Sequence, residues 1–135
     1  MIIGVTGSRT WRSREIIAKA LDEALADFGN PAHLNVVIEG GAAGADAICR
    51  IEATSRGWHV ATMRAIWGFY GQYRAGHIRN DAMTYLGMHA DAWLAFANPC
   101  EKKDCMIPEP HDSHGTSQCI QSARKAGIEV RTYCE

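Results

Sequence analysis

Apolar positions along the chain follow two rhythms. Short runs at 2–6 (IIGVT), 35–39 (NVVIE), 59–63 (HVATM), 91–96 (DAWLAF) and 128–133 (IEVRTY) are rich in β-branched and aromatic residues, and they predict five strands. Between the first two runs, Ile16, Ile17, Ala20, Leu21, Ala24, Leu25 and Phe28 recur at spacings of three and four, one helical face, until Gly29-Asn30-Pro31 stops the pattern. Residues 44–56 predict a second helix closed by Gly57. Residues 72–86 and 116–126 predict two more, the last ending at Gly127.

Strands alternating with helices require crossover connections, which are right-handed and yield a parallel sheet covered on both faces. The expected fold is therefore α/β, a three-layer sandwich with about five parallel strands in the order 3-2-1-4-5. The chain of 135 residues suits one such domain, spanning 1–135. Ligands of these sheets sit beyond the carboxyl ends of the strands where the order reverses, here between the first and fourth strands. Three turns fall at that edge: Gly7 to Thr10, Gly40 to Asp46, and the segment ending in Gly115-Thr116.

Composition removes several alternatives. Fourteen Lys and Arg against fifteen Asp and Glu leave a net charge of −1, so no general field draws the chain to nucleic acid or membrane. No apolar run approaches the length of a membrane span, and the N-terminus enters a strand pattern at once, so a soluble, cytosolic protein is expected. Five cysteines, an odd number, fit a disulfide framework poorly and suit thiols or metal ligands in a reducing compartment.

Gly7-Ser8-Arg9-Thr10 offers amides, hydroxyls and a guanidinium, which suit a phosphate at a helix N-terminus; the alternative is a tight turn with Ser8 or Thr10 as the helix cap. Gly40-Gly41-Ala42-Ala43-Gly44-Ala45-Asp46 lets backbone approach a ligand closely, or lets helix pack on strand. It has neither the dinucleotide GxGxxG spacing nor a P-loop ending. Trp67 and Tyr70 offer stacking faces, Arg79 a cation for phosphate, and Asn80 an amide for hydroxyls or a base edge, unless the group is an aromatic plug with a solvated polar side. Gly115-Thr116-Ser117 opens the last helix with free amides and two hydroxyls, facing the first turn across the switch point.

Taken in order, TGSR at 6–9, EGGAAGAD at 39–46, the run Trp67, Tyr70-Gly71, Ala75-Gly76, Arg79-Asn80 and Met83, ADAWLAF at 90–96, and Gly115-Thr116 followed by AGIEV resemble the YspA-related branch of the SLOG superfamily. These are Rossmann-like nucleotide-binding proteins, with the Lonely Guy phosphoribohydrolases and the DprA DNA-processing proteins as relatives. The resemblance implies a nucleotide-type ligand, a nucleoside phosphate or an ADP-ribose-like molecule. It implies a site lined by Gly7, Ser8, Arg9, Gly40, Gly41, Gly44, Asp46, Arg79, Asn80, Gly115 and Thr116, and a homodimer. Trp67 joins that set as the stacking residue. Arg79 matches the Arg of the phosphoribohydrolase RKxxM motif and is the one catalytic candidate. The glutamate expected three residues after the GT falls on Cys119, which argues against that activity. A nucleotide sensor or sequestering protein is thus the first expectation, a nucleotide N-glycosidic hydrolase the second, and DprA-like binding of single-stranded DNA the third. The neutral charge and the lack of a basic, aromatic-laced stripe make nucleic acid an unexpected partner.

PCEKKDCMIPEPHDSHGTSQC at 99–119 holds three cysteines and two histidines, and the segment at about 98–114 reads as an insertion. Cys100-x4-Cys105 makes one ligand pair; His111 with His114 or Cys119 makes the second, so four of these five are expected to hold a structural zinc. The alternative is a plain insertion with thiols and a histidine near the phosphate. A long connection without regular structure needs some such device to stay ordered.

Overall fold

In the computed structural model, which describes all 135 residues except the side chain of Tyr73, five strands form one parallel sheet in the order β3-β2-β1-β4-β5. They are β1 (Ile2–Gly7), β2 (Val36–Glu39), β3 (His59–Thr62), β4 (Ala92–Phe96) and β5 (Val130–Tyr133). The helices are α1 (Arg14–Phe28), α2 (Ala45–Ser55), α3 (Trp67–Leu86) and α4 (His114–Lys125). Among the described residues no helix is long and apolar enough to cross a membrane.

Side-chain alternation along each strand divides the core into two layers. Ile3, Val5, Val37, Leu94 and Phe96 meet Ile17, Ala20 and Leu21 of α1 and Ala45, Cys49 and Ala53 of α2. The opposite parity sends Ile38 and Trp93 against Met83 of α3 and Cys119 and Ala123 of α4. Gly4 lies under Trp93: a Cβ there would fall 2.1 Å from the indole ring, so the large side chain occupies space that the glycine vacates.

Two helix starts depart from the sequence expectation. Helix α1 begins at Arg14, where Ser13 is the cap and accepts a hydrogen bond from the Ile16 amide at 3.3 Å. Neither Ser8 nor Thr10 caps it, so the Gly7-Ser8-Arg9 turn does not sit directly on a helix N-terminus. The cause is Trp11, which is buried edge-on against Phe96 at 5.3 Å and donates through Nε1 to the Ser13 carbonyl at 2.9 Å. Helix α3 begins at Trp67 instead of residue 72 and breaks at Gly71, whose φ of 74° and ψ of 168° re-aim the turn that carries Trp67.

Candidate functional site

A cleft of about 860 Å³ opens at the carboxyl edge of the sheet, between the ends of β1 and β4 where the strand order reverses. Thr6 to Thr10 form one side, Ser113 to Thr116 the other, and Trp67, His77, Arg79 and Asn80 of α3 the roof. Asp46 and Ala42 reach in from the α2 side, and Pro99 to Lys102 close the remaining wall. Of the residues expected at the site, the cleft brings together Gly7, Ser8, Arg9, Asp46, Trp67, Arg79, Asn80, Gly115 and Thr116.

Ser8 is the hub of its floor. The buried Ser8 hydroxyl accepts from the Asn98 amide at 2.8 Å and lies 3.2 Å from Ser113 Oγ, which in turn lies 2.7 Å from Thr116 Oγ1. Helix α4 starts here without a side-chain cap. The first amides of a helix have no intrahelical acceptor and carry the positive end of its dipole, so this end of the cleft favours an anion. Across the mouth, the Arg9 guanidinium lies over the ring of Trp67, 6.0 Å from its centroid, and the indole is 45% exposed.

The turn after β2 is built differently from expectation. Gly40, Gly41 and Gly44 do not line the cleft. Their amides and conformations serve internal packing: Asp46 Oδ2 accepts from the Gly40 and Ala42 amides at 3.1 and 3.2 Å, and Glu39 Oε2 accepts from the Gly41 amide at 2.6 Å. Gly44, with φ of 73°, packs its α-carbon against the Ser8 carbonyl, which also accepts from the Ala45 amide at 3.2 Å. Burial pushes the Asp46 carboxyl up from its ordinary 3.8 to about 6, against the pull of the Ala42 amide. Sequence reasoning passed over Glu39, whose fully buried carboxylate also pairs with Arg50 at 3.0 Å and accepts from the Thr62 hydroxyl. A charged residue ending an otherwise apolar strand just before two glycines was the available signal.

Asn80 is likewise engaged by the protein. Its amide nitrogen donates to the Gly115 carbonyl at 3.1 Å and to Gln118 at 2.7 Å, while its oxygen accepts from Arg79 Nε at 2.8 Å. It ties α3 to α4 and aims Arg79, which also donates to the Gly40 carbonyl. Tyr70 packs edge-on against Phe69 at 4.9 Å and lies outside the cleft lining.

The Cys/His loop folds back on itself beside the cleft. The Cys100 amide donates to the His111 carbonyl at 2.7 Å, and the Ser113 amide donates to the Asn98 carbonyl at 3.1 Å. One ligand atom each from Cys100, Cys105, His111 and His114 lies within 4.8 Å of every other. Cys105 Sγ lies 3.4 Å from His111 Nε2 and 3.2 Å from His114 Nε2, and the two ring nitrogens are 3.1 Å apart. A tetrahedral zinc with bonds of about 2.0–2.3 Å needs edges of roughly 3.3–3.8 Å, so Cys105, His111 and His114 need only small shifts to suit it, with Cys100 within 4.8 Å of each. His111 Nδ1 lies 2.7 Å from the Glu109 carbonyl; donating to it turns the Nε2 lone pair toward the other ligands, as metal-bound histidines require. These four residues can hold a metal ion.

Cys119 is not among them. It faces the opposite way, fully buried with Met83 and Trp93, where burial pushes its thiol up to about 11. Its place on α4 explains the correction: five residues past His114, it falls on the helix face that packs against the sheet. It therefore provides neither a metal ligand nor the acid that a phosphoribohydrolase would carry there.

A family model described as the YspA, cpYpsA-related SLOG family matches residues 1–70, which include both the Gly7-Ser8-Arg9 turn and the glycine turn after β2. The chain belongs to this family. Membership points to nucleotide-related function. The chain is also 37% identical over 131 residues to the Gene 61 protein of Mycobacterium phage D29, covering 93% of this SLOG protein and 90% of that one. No solved structure gives a significant match.

Proposed function

We propose that this SLOG protein binds a nucleotide or nucleotide-derived ligand, a nucleoside phosphate or an ADP-ribose-like molecule, and acts by sensing or sequestering it. The observation that carries the reading is one cleft with two unlike ends: the hydroxyls of Ser8, Ser113 and Thr116 at the uncapped start of α4, and the half-exposed indole of Trp67 with the Arg9 guanidinium over it. Phosphate suits the first and a base the second. A volume of about 860 Å³ accommodates a molecule of that size.

Hydrolysis of an N-glycosidic bond is the second reading. It is favoured by one observation: Arg79 and Asp46 share the cleft, and Asp46 is a carboxyl whose pKa of about 6 suits general acid or base work near neutral pH. DprA-like binding of single-stranded DNA ranks third, since the net charge is −1. The metal in this reading is zinc, in a structural role: Cys100, Cys105, His111 and His114 would fill its tetrahedron and leave no position for a reactive water. Five free thiols suit a reducing cytoplasm. A homodimer would cover the exposed Ile66 and Phe69, at 61% and 79% exposure.

Nucleoside monophosphates, NAD and ADP-ribose, tested by thermal shift and by product chromatography, separate these readings. Stabilisation without turnover is expected, and it sinks the hydrolase. Turnover that disappears in Arg79→Ala sinks the binding-only model, and no response to any of these molecules sinks both.

A further inference from the structure

The segment between β4 and α4 supplies part of the cleft yet has almost nothing of its own to hold it. Pro99, Cys100, Glu101 and Lys102 form one wall, and Ser113 to Thr116 form the adjoining side. From Asn98 to Gly115 no residue is buried, and the two apolar side chains at the tip, Met106 and Ile107, are 95% and 47% exposed. Ordering a residue's backbone costs about 1–2 kcal/mol, and here little apolar burial offsets it, with no side chain fully buried. The backbone bonds that remain are concentrated at the base, where Pro99 pairs with Asp112 in an isolated antiparallel bridge next to the Cys100 to His111 bond.

The four residues that can hold a metal span this weakness. Cys100 belongs to the wall, Cys105 and His111 to the outer loop, and His114 is the first residue of α4, adjacent to Gly115 and Thr116. A metal bound by all four would fasten the wall to the helix start. Its binding free energy would act on the elements that shape the anion end of the cleft, and on little else: neither hydrophobic cluster includes a residue of the loop.

We infer that the metal is a switch for the cleft: the metal-loaded chain presents a complete ligand site, and the metal-free chain keeps its folded core but loses the site. The inference rests on the cleft being a nucleotide site, and it sets the regulation of that site. Linkage then requires reciprocity, the ligand tightening metal binding by the same factor by which the metal tightens ligand binding.

The test uses the whole chain stripped with a chelator, then restored with one equivalent of zinc, with AMP and ADP-ribose as probes. Calorimetry is expected to give at least tenfold weaker binding of the responding probe to the stripped chain, recovered on zinc addition. The far-UV circular dichroism should be unchanged. A competing zinc indicator should report the same factor when the probe is added. The Cys100→Ser, Cys105→Ser double variant is expected to bind weakly whether or not zinc is present. Equal probe affinity with and without zinc overturns the switch alone, as does global unfolding on stripping or failure to take up zinc. Absence of probe binding in both forms removes the ligand reading and the switch with it.

Discussion

The turn after β2 and the turn into α4 both set glycine among small residues at the same edge of the sheet, yet their backbones keep different company. In the first, the Gly40, Gly41 and Ala42 amides are taken by Asp46 and Glu39, and a Cβ on Gly44 would fall 2.3 Å from the Ser8 carbonyl oxygen. In the second, the helix has no side-chain cap, and a Cβ on Gly115 would meet nothing within 4 Å. One turn is glycine-rich because the chain packs against itself. The other has room for something else. Glycine content alone does not distinguish them; what distinguishes them is whether a carboxylate of the same chain has already accepted from the amides.

Three substitutions probe this contrast. Gly44→Ala carries the largest expected effect, because its φ of 73° and ψ of −124° suit glycine alone and the Ser8 carbonyl blocks a side chain. Urea unfolding should show a loss of several kcal/mol, and a loss under about 1 kcal/mol would remove the packing account. Asp46→Asn comes next, read as pH dependence. The folded pKa of about 6 exceeds the ordinary 3.8, so between those values the folded chain holds a proton that the unfolded chain releases. Stability of the parent is therefore highest below about pH 4 as far as this group is concerned, and it falls by about 3 kcal/mol as pH rises through 6. The asparagine variant should lack that slope; parallel profiles would show that Asp46 does not carry it. Gly115→Ala should change stability by less than about 1 kcal/mol, since alanine suits a helix and no atom stands in its way. If ligand affinity drops while stability holds, the open turn is a binding surface.

Strand order and the location of the cleft were legible because both follow from burial: apolar runs of strand length alternate with helical stripes, and a parallel sheet with that alternation reverses at β1 and β4. The set of residues able to hold a metal was legible to within one residue, since Cys100, Cys105, His111 and His114 are close in sequence and a short loop must bring them near one another. Choosing between His114 and Cys119 required knowing which face of α4 meets the sheet, and that is a tertiary fact. The same holds for Asn80. As a sequence letter it offers an amide to any ligand; in the fold, the Gly115 carbonyl and Gln118 have claimed it. The start of α1 was missed for a similar reason, because the burial of Trp11 delays the helix and Ser13 takes over as cap.

The hydroxyl chain from Ser8 through Ser113 to Thr116 has a property that amides and guanidinium groups lack. The Asn98 amide fills only one acceptor position of Ser8, and in the Ser113 to Thr116 contact either oxygen can be the donor. Rotation about two C–O bonds exchanges donor and acceptor between Ser113 and Thr116 without moving a heavy atom, while Ser8 keeps donating to Ser113. The Thr116 end of the row can thus turn a proton toward a fully ionised anion or a lone pair toward a protonated one, so the preference for an anion is set by the free amides at the start of α4 and not by the hydroxyls.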